Sequence, residues 1–419
     1  MAAMNDDKKQ ILAWIEADKD QLVKFLSRFV QARSPNPPGD TRKAVKHITG
    51  FLKKNKLPHK LVAPQKTMPN VVGSFKCASP GKHLVLNGHI DCFPVAEDDK
   101  RWTHGAWSGA IADGKVWGRG VADMKCGTTA SIWTYRYIHR LKKKLKGRLT
   151  LTAVSDEETF GPWGARYLME HHPEVHGDCC LNGEPSSPFS VRFGEKGPLW
   201  IEFTVRTKGS HGAYTHLSES ASKLAMKFGQ ALEAVTQIEP KLPDNVRQVL
   251  ERNAATIDKA QGAGAAKIVG RVTLNIGVVN SGLKVNMVPG EAKIEADIRL
   301  PPGVEKPQVM AVIDKVLADY PMVEMKEINF NPPSWCDPGG EMLHFVQGNV
   351  RELKGFEPEP IVSLGGTDAR LWRYRNIPAY VYGPPPTGMG SFNEHVEIET
   401  FLHIVRTHAL SAYDYLSRA

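Results

Sequence analysis

Leu84-Val85-Leu86-Asn87-Gly88-His89-Ile90-Asp91 is a short apolar run that leads straight into a histidine and an acid two residues apart. Two other stretches repeat the pattern. Leu149-Thr150-Leu151-Thr152-Ala153-Val154-Ser155-Asp156-Glu157-Glu158 ends in acids, and Cys179-Cys180-Leu181-Asn182-Gly183-Glu184-Pro185 ends in a glutamate. Short apolar runs bounded by turn residues read as buried strands. Helical periods fall between them, over 131–141 and 165–170. This strand–helix alternation predicts an α/β unit on a mostly parallel sheet. In such sheets ligands bind beyond the carboxyl ends of the strands. Three strands that each deliver a His or acids to that edge therefore mark a site.

Working outward, residues 8–32 and 41–55 carry a 3.6-residue apolar period, and Ser34-Pro35-Asn36-Pro37-Pro38-Gly39-Asp40 separates them as a loop. The pattern changes between 196 and 331. Strands with alternating polarity are expected at 199–206, 271–279, 291–299 and 323–330, with helices at 218–236 and 306–319. Alternating strands with two helices fit an antiparallel α+β sandwich. The Ala/Gly-rich stretch 260–266 reads as a loop. Residues 379–382 return to the first pattern. The expectation is a catalytic domain made of 1–195 and 332–419, with an α+β domain, 196–331, inserted into it.

The chain has 419 residues and a net charge of +9, with 41% hydrophobic and 24% charged residues. That is ordinary for a globular protein and excludes a disordered polyelectrolyte. No apolar run approaches the roughly 18 residues that cross a bilayer, so no membrane partner is expected. The first ten residues hold no apolar signal core. The six cysteines form no CxxC pair, and with no disulfide pattern they point to a reducing, cytoplasmic setting. The densest basic run, Lys142 to Lys144 with Lys146 and Arg148, lies between a helix and a strand. It reads as a solvated helix end rather than a nucleic-acid surface. A positive field also suits a small anionic substrate.

Converging carboxylates repel one another unless a cation lies between them. A set of carboxylates and imidazoles without thiolates suits Zn²⁺, Mn²⁺ or Co²⁺. At this point five ordered motifs come together: His89-Ile90-Asp91, Gly118-Arg119-Gly120-Val121-Ala122-Asp123-Met124-Lys125-Cys126-Gly127, Asp156 to Gly161, Asn182 to Ser186, and Asn393-Glu394-His395. Their order and spacing resemble the M20 metallopeptidase family, which groups acetylornithine deacetylase, succinyl-diaminopimelate desuccinylase, aminoacylase-1 and glutamate carboxypeptidase.

The resemblance implies a set of roles. His89, Asp123 and Glu184 would hold one divalent ion, and Asp123, Glu158 and His395 a second, with Zn²⁺ ahead of Mn²⁺ or Co²⁺. The peptide after the bridging acid, Asp123–Met124, would be cis. Asp91 would orient the His89 ring. Glu157 would be the general base for a metal-activated bridging water. Lys208 to His216 resembles the family's lid motif, so His211 would donate to the oxyanion, and the resemblance allows it to act on a partner subunit's site. Asn286 and Arg299 would hold a substrate carboxylate, as would Gly366 and Thr367 of the loop Leu364-Gly365-Gly366-Thr367-Asp368-Ala369-Arg370. The inserted domain would serve as lid and homodimer interface. Glu at 184, where aminopeptidase branches often carry Asp, favours deacylation. The resulting expectation is hydrolysis of an amide C–N bond in a small carboxylate-bearing substrate such as an N-acyl amino acid. An aminohydrolase for an aromatic amine acid, a carboxypeptidase or dipeptidase, and a non-catalytic binding relative stay open.

Overall fold

The strand Ser79–His89 carries Leu84, Val85 and Leu86, all fully buried, so it must be covered on both faces. In a computed structural model, which describes residues 4–96 and 100–418, it lies at the centre of a sheet. Residues 1–3, the start of the segment read for a signal core, lie outside the described residues. The strand pairs in parallel with Lys146–Val154 on one side and Cys179–Asn182 on the other. Ala379–Val381 continues the parallel order beside Cys179–Asn182.

The sheet is mixed rather than mostly parallel. Asn70–Lys76 runs antiparallel to Lys146–Val154, and Lys60–Val62 antiparallel to Asn70–Lys76. Val381 pairs antiparallel with Arg192 of the strand Ser190–Glu195. Connection length explains the difference. Only residues 77 and 78 separate Asn70–Lys76 from Ser79–His89, too few for a crossover, so the direction reverses. The central strands are joined by long connections holding the helices Cys126–Leu141 and Ala165–His171, which permit parallel pairing.

The 20-residue helix Ile398–Ser417 packs against Cys126–Leu141 and the Ser79–His89 strand. It buries Phe401, Leu402, Ile404, Val405 and Leu410 completely, each contributing roughly 1.5–3 kcal/mol. None of the described helices is long and apolar enough to cross a membrane.

The chain divides into two compact units, one of Met1–Phe193, Cys336–Ile361 and Thr367–Ala419, the other of Gly194–Trp335 and Val362–Gly366. The second unit holds an antiparallel sheet in the order Thr273–Ser281, Glu291–Leu300, Gly197–Arg206, Val323–Phe330. Every second residue of Glu291–Leu300 is buried, against a core that includes Phe203, Phe228, Ile294, Ile298 and Ile313. The helices Ala221–Ala231 and Lys306–Ala318 supply Phe228 and Ile313.

The reading of 260–266 as a loop is corrected. Three helices, Asp244–Arg252, Ala254–Gln261 and Ala265–Ile268, occupy the region and bury Val246, Val249, Leu250, Ile257 and Ala265. Only residues 262–264 are non-helical, and Gly262 and Gly264 take φ of 101° and 92°, which L side chains rarely adopt.

Two histidines of the last helix form part of the core. His403 Nε2 lies 2.7 Å from the Tyr382 hydroxyl, and His408 Nε2 2.7 Å from the Tyr382 carbonyl. The Nδ1 atom of each is buried without a partner among the described residues. Burial lowers both from 6.5 to about 4. The unfolded chain therefore binds more protons between these values, and stability falls as pH drops from about 6.5 to about 4. The loss expected is on the order of 3 kcal/mol per histidine. Denaturant titrations across that range measure it, and His408→Gln is expected to flatten the slope.

Candidate metal centre

His89 ends the central strand, and its ring is fixed from behind. Its Nδ1 lies 3.0 Å from the Asp91 carbonyl oxygen and 3.5 Å from the Asp91 carboxylate. A carbonyl can only accept, so Nδ1 carries hydrogen and a neutral ring presents its lone pair at Nε2. That Nε2 faces Asp123 Oδ1 and Glu184 Oε1, both at 3.2 Å.

Each acid arrives by its own route. Asp123 sits in the segment 118–125, where the Asp123–Met124 peptide is cis and Gly120 has φ of 79°. A Cβ on Gly120 would lie 2.8 Å from the Cys92 Cβ. Glu184 follows the strand Cys179–Asn182. Its N–H donates to Asn182 Oδ1 at 2.7 Å, Asn182 Nδ2 donates to Asn87 at 2.7 Å, and Asn87 Nδ2 donates to Thr152 at 3.1 Å. This ladder ties together the ends of three parallel strands. Glu157 and Glu158 follow the strand Lys146–Val154, and their N–H groups donate to the two Asp91 oxygens at 3.3 and 3.2 Å. Asn36 Nδ2 adds a 2.9 Å bond to Asp91. Asp91 thus holds the His89 ring and the turn bearing two glutamates at once.

Ligand-type atoms of His89, Asp123 and Glu158 lie within 4.8 Å of one another, and so do those of His89, Glu157 and Glu184. Five of the residues read from sequence therefore form two groupings that share His89. His395 joins neither grouping. Its Nδ1 is 2.8 Å from the Asn393 carbonyl, which leaves Nε2 with the lone pair, and its ring lies 4.4 Å from that of Trp117.

The electrostatics fit a cation. Burial alone would depress the His89 imidazole, but the Glu184 charge and hydrogen bonds with Asp123, Asp91 and Glu184 hold it well above its usual value. Burial, then the neighbouring Asp123 charge, pushes Glu158 well above the carboxylate range, and burial lifts Glu184 to about 7. Burial also raises Glu157, against the pull of His89. The site concentrates more negative charge than its own groups neutralise. Glu158 Oε1 is buried with no hydrogen-bond partner among the described residues, and a buried acceptor without a donor is costly. A divalent ion satisfies both conditions, and the oxygen and imidazole donors suit Zn²⁺, Mn²⁺ or Co²⁺.

Three contributors escaped the sequence reading. Arg370 Nη1 lies 3.4 Å from Glu157 Oε1, and its guanidinium sits 4.7 Å over the Phe160 ring. It is three residues after Thr367, at the end of the stretch 364–370 singled out in the sequence and in the first turn of the helix Ala369–Arg373. Asn36 sits in a loop read only as a linker, and Glu394, which accepts from the Ala122 and Asp123 N–H groups at 2.9 and 3.1 Å, was overshadowed by His395. Thr367 is buried and accepts from the Ala369 N–H at 3.2 Å.

The remaining residues belong to the second unit. Ser210–His211 pairs with Met287–Val288, and the Gly212 N–H donates to the Asn286 carbonyl at 2.7 Å, so His211 and Asn286 are neighbours. The Ala213 N–H donates to His211 Nδ1 at 3.2 Å, which places the hydrogen of a neutral ring on Nε2. Arg299 is paired with Asp297 at 2.8 Å, and Asp297 also accepts from Trp200 Nε1 at 3.0 Å. Gly366 lies in the short segment Val362–Gly366 of the same unit.

The family model for Peptidase family M20/M25/M40 matches residues 85–414. Aminoacylase-1 of Dictyostelium discoideum is 24% identical over 416 residues, covering 92% of this chain and 95% of that protein. A succinyl-diaminopimelate desuccinylase of Cereibacter sphaeroides is 25% identical over 343 residues, covering 79% and 83%. Among solved structures, an M20 family metallo-carboxypeptidase from Sulfolobus solfataricus superposes with a TM-score of 0.80 at 18% identity, covering 94% of this chain and 99% of that one.

Added Zn²⁺, Mn²⁺ or Co²⁺ is expected to bind stoichiometrically and raise the midpoint of thermal unfolding. At free metal 100-fold above Kd the gain is about 2.7 kcal/mol. Glu158→Gln is expected to weaken uptake. Metal analysis paired with thermal scans checks this, and no uptake together with no thermal response would remove the site.

Proposed function

The chain belongs to peptidase family M20/M25/M40 and is a metallohydrolase, and from that premise we propose that it hydrolyses the amide C–N bond of a small carboxylate-bearing substrate, such as an N-acyl amino acid. The observation that carries the reading is the gathering of Asp123, Glu157, Glu158 and Glu184 around His89 in two groupings, with Glu158 Oε1 lacking a donor among the described residues. In this reading His89, Asp123 and Glu184 hold one divalent ion, and Asp123, Glu158 and His395 hold another. The ions, when bound, supply the positive charge that acidifies a water and polarises the amide carbonyl.

Glu157 takes the proton of the attacking water at its carboxylate and returns it to the leaving nitrogen. Its burial supports a base whose proton affinity is raised, and Arg370 at 3.4 Å orients it. Asp91 keeps the His89 ring turned so that Nε2 faces Asp123 and Glu184. His211 donates from Nε2–H to the oxyanion that develops on the substrate. The Arg299 guanidinium exchanges its Asp297 partner for the substrate carboxylate, helped by Asn286, Gly366 and Thr367. Identity to a deacylase and a desuccinylase, and glutamate at 184, support this substrate class over peptides.

The same reading makes the second unit a lid and a homodimer interface. Leu283 and Val285 are 91% and 100% exposed there, with Val279 and Met287 also exposed nearby. An apolar strip of this kind marks an association surface. Six free cysteines support a reducing, cytoplasmic setting.

Assay of metal-loaded protein against N-acyl amino acids, dipeptides and aryl-amine acids tests the proposal, and turnover confined to the last two classes would replace it. Glu157→Gln is expected to keep the metal and lower kcat by about 10²–10⁴-fold. Undiminished turnover would remove Glu157 as base. Arg299→Ala is expected to raise KM about 10–100-fold for substrates with a free carboxylate. Amides lacking the carboxylate serve as the control, and an equal effect on both would sink the clamp.

A further inference from the structure

The basic run that the sequence places between a helix and a strand divides in the structure. Lys142–Lys144 form a short turn with no buried residue, whereas Arg148 lies within the strand Lys146–Val154. There it is the direct Cα partner of Lys76, across the antiparallel pairing with Asn70–Lys76. Like charges directly opposite one another destabilise a sheet. No acid pairs with either cation among the described residues.

Lys76 and Arg148 line a cavity of about 400 Å³ within the first unit, together with His59, Lys60, Ser74 and Glu174. Ser74 and Lys76 share a sheet face with their cross-strand partners Thr150 and Arg148. Ser74 Oγ lies 3.0 Å from Thr150 Oγ1, which lies 2.7 Å from His83 Nε2.

The charges around this cavity do not balance. Lys60 pairs with Glu174 at 2.7 Å, and His172 Nδ1 lies 3.1 Å from the same carboxylate. Burial opposes ionisation of Glu174, but bonds from Lys60, its own backbone N–H and His172 hold it down at about 2. Its charge is therefore already matched. Burial, then Arg148, lowers His83 from 6.5 to about 4, so a neutral ring adds no charge. Asp178, the acid that acts on His83, accepts the His83 backbone N–H at 2.7 Å and does not line the cavity. Two cations, Lys76 and Arg148, are left on one cavity with no anion between them. A guanidinium grips phosphate through two parallel bonds, and an ammonium adds a point charge. A phosphate monoester carries about −1.5 to −2 charge at pH 7, which matches both cations, whereas a carboxylate matches one. The volume suits a small molecule, for which sites span roughly 300–1,000 Å³. Arg148 stands six residues before Val154, roughly 20 Å along the strand, so the cavity and the metal centre occupy opposite ends of the sheet.

We propose that this cavity is a binding site for a small phosphate-bearing anion, held between Lys76 and Arg148 and separate from the metal centre. The experiment is a calorimetric titration of the full-length protein with inorganic phosphate and, separately, with glycerol phosphate, at neutral pH and an ionic strength held constant with chloride. Lys76→Gln, Arg148→Gln and the double variant remove the cations, and Glu158→Gln controls for phosphate captured by bound metal. Saturable binding is expected, weakened roughly 10–100-fold by Arg148→Gln, abolished in the double variant and retained in Glu158→Gln. Each single substitution relieves a like-charge pair, so the unfolding midpoint without phosphate is expected to stay level or rise. That separates loss of the site from loss of the fold. Tighter binding of the ester would assign the site to phosphorylated small molecules, and equal affinity would assign it to phosphate itself. No saturable binding of either probe would overturn the proposal. So would binding that the double variant keeps, or binding that Glu158→Gln loses.

Discussion

The mutual repulsion of acids gathered at one sheet edge is the constraint on which the rest depends. Asp91, Asp123, Glu157, Glu158 and Glu184 surround a single buried imidazole. Buried carboxylates at such separations cannot all ionise without compensating charge. Some of that compensation is local: Asn36 and two backbone amides satisfy Asp91, and Arg370 lies beside Glu157. What remains shows as upward-shifted protonation of His89, Glu157, Glu158 and Glu184, driven for the glutamates chiefly by burial. A binding site for divalent ions follows from this residue of uncompensated charge.

The sheet exists to hold that charge in place. Parallel strands bury both faces, so their ends can be fixed without solvent competing for hydrogen bonds. The Thr152–Asn87–Asn182 ladder spans three such ends, and the Glu184 amide is its last rung. Close backbone approach does the same on the helix side. A Cβ on Gly127 would fall 1.9 Å from the Gly183 carbonyl oxygen, so the helix that follows Asp123 and the turn before Glu184 touch main chain to main chain. Lys125 adds a cation buried under the same segment, donating to the carbonyls of Phe29 and Ala32 at 3.0 and 3.1 Å. The carboxy-terminal end of the helix Lys19–Gln31 is thereby joined to the segment that carries Asp123.

Much of this was legible in the amino-acid sequence, and the divide has a physical cause. A buried strand reveals itself as an apolar run, and the first polar residue after it must stand at the sheet edge, so His89, Glu157, Glu158 and Glu184 could be placed from local pattern alone. Strand direction could not be placed that way. It depends on connection length, and the two residues between Asn70–Lys76 and Ser79–His89 were the overlooked clue to a mixed sheet. The helices over 244–268 were missed because Ala and Gly dominate 260–266 and hide a break of only three residues. Asn36, Glu394 and Arg370 carry no local pattern of their own. Each acts on a group far away in sequence, and only the fold brings them together.

Glu157 and Glu158 show how far neighbours can diverge once the fold is set. They share a turn, and their amides bind opposite oxygens of the same Asp91. Successive residues in such a turn send their side chains in different directions. Glu157 meets Arg370, so its carboxylate has a donor and a fixed orientation. Glu158 has Asp123 as its largest charged influence and an oxygen with no donor among the described residues. The surroundings of each carboxylate therefore come from what its side chain meets beyond the turn, and the adjacency of two identical residues in sequence gives no hint of it.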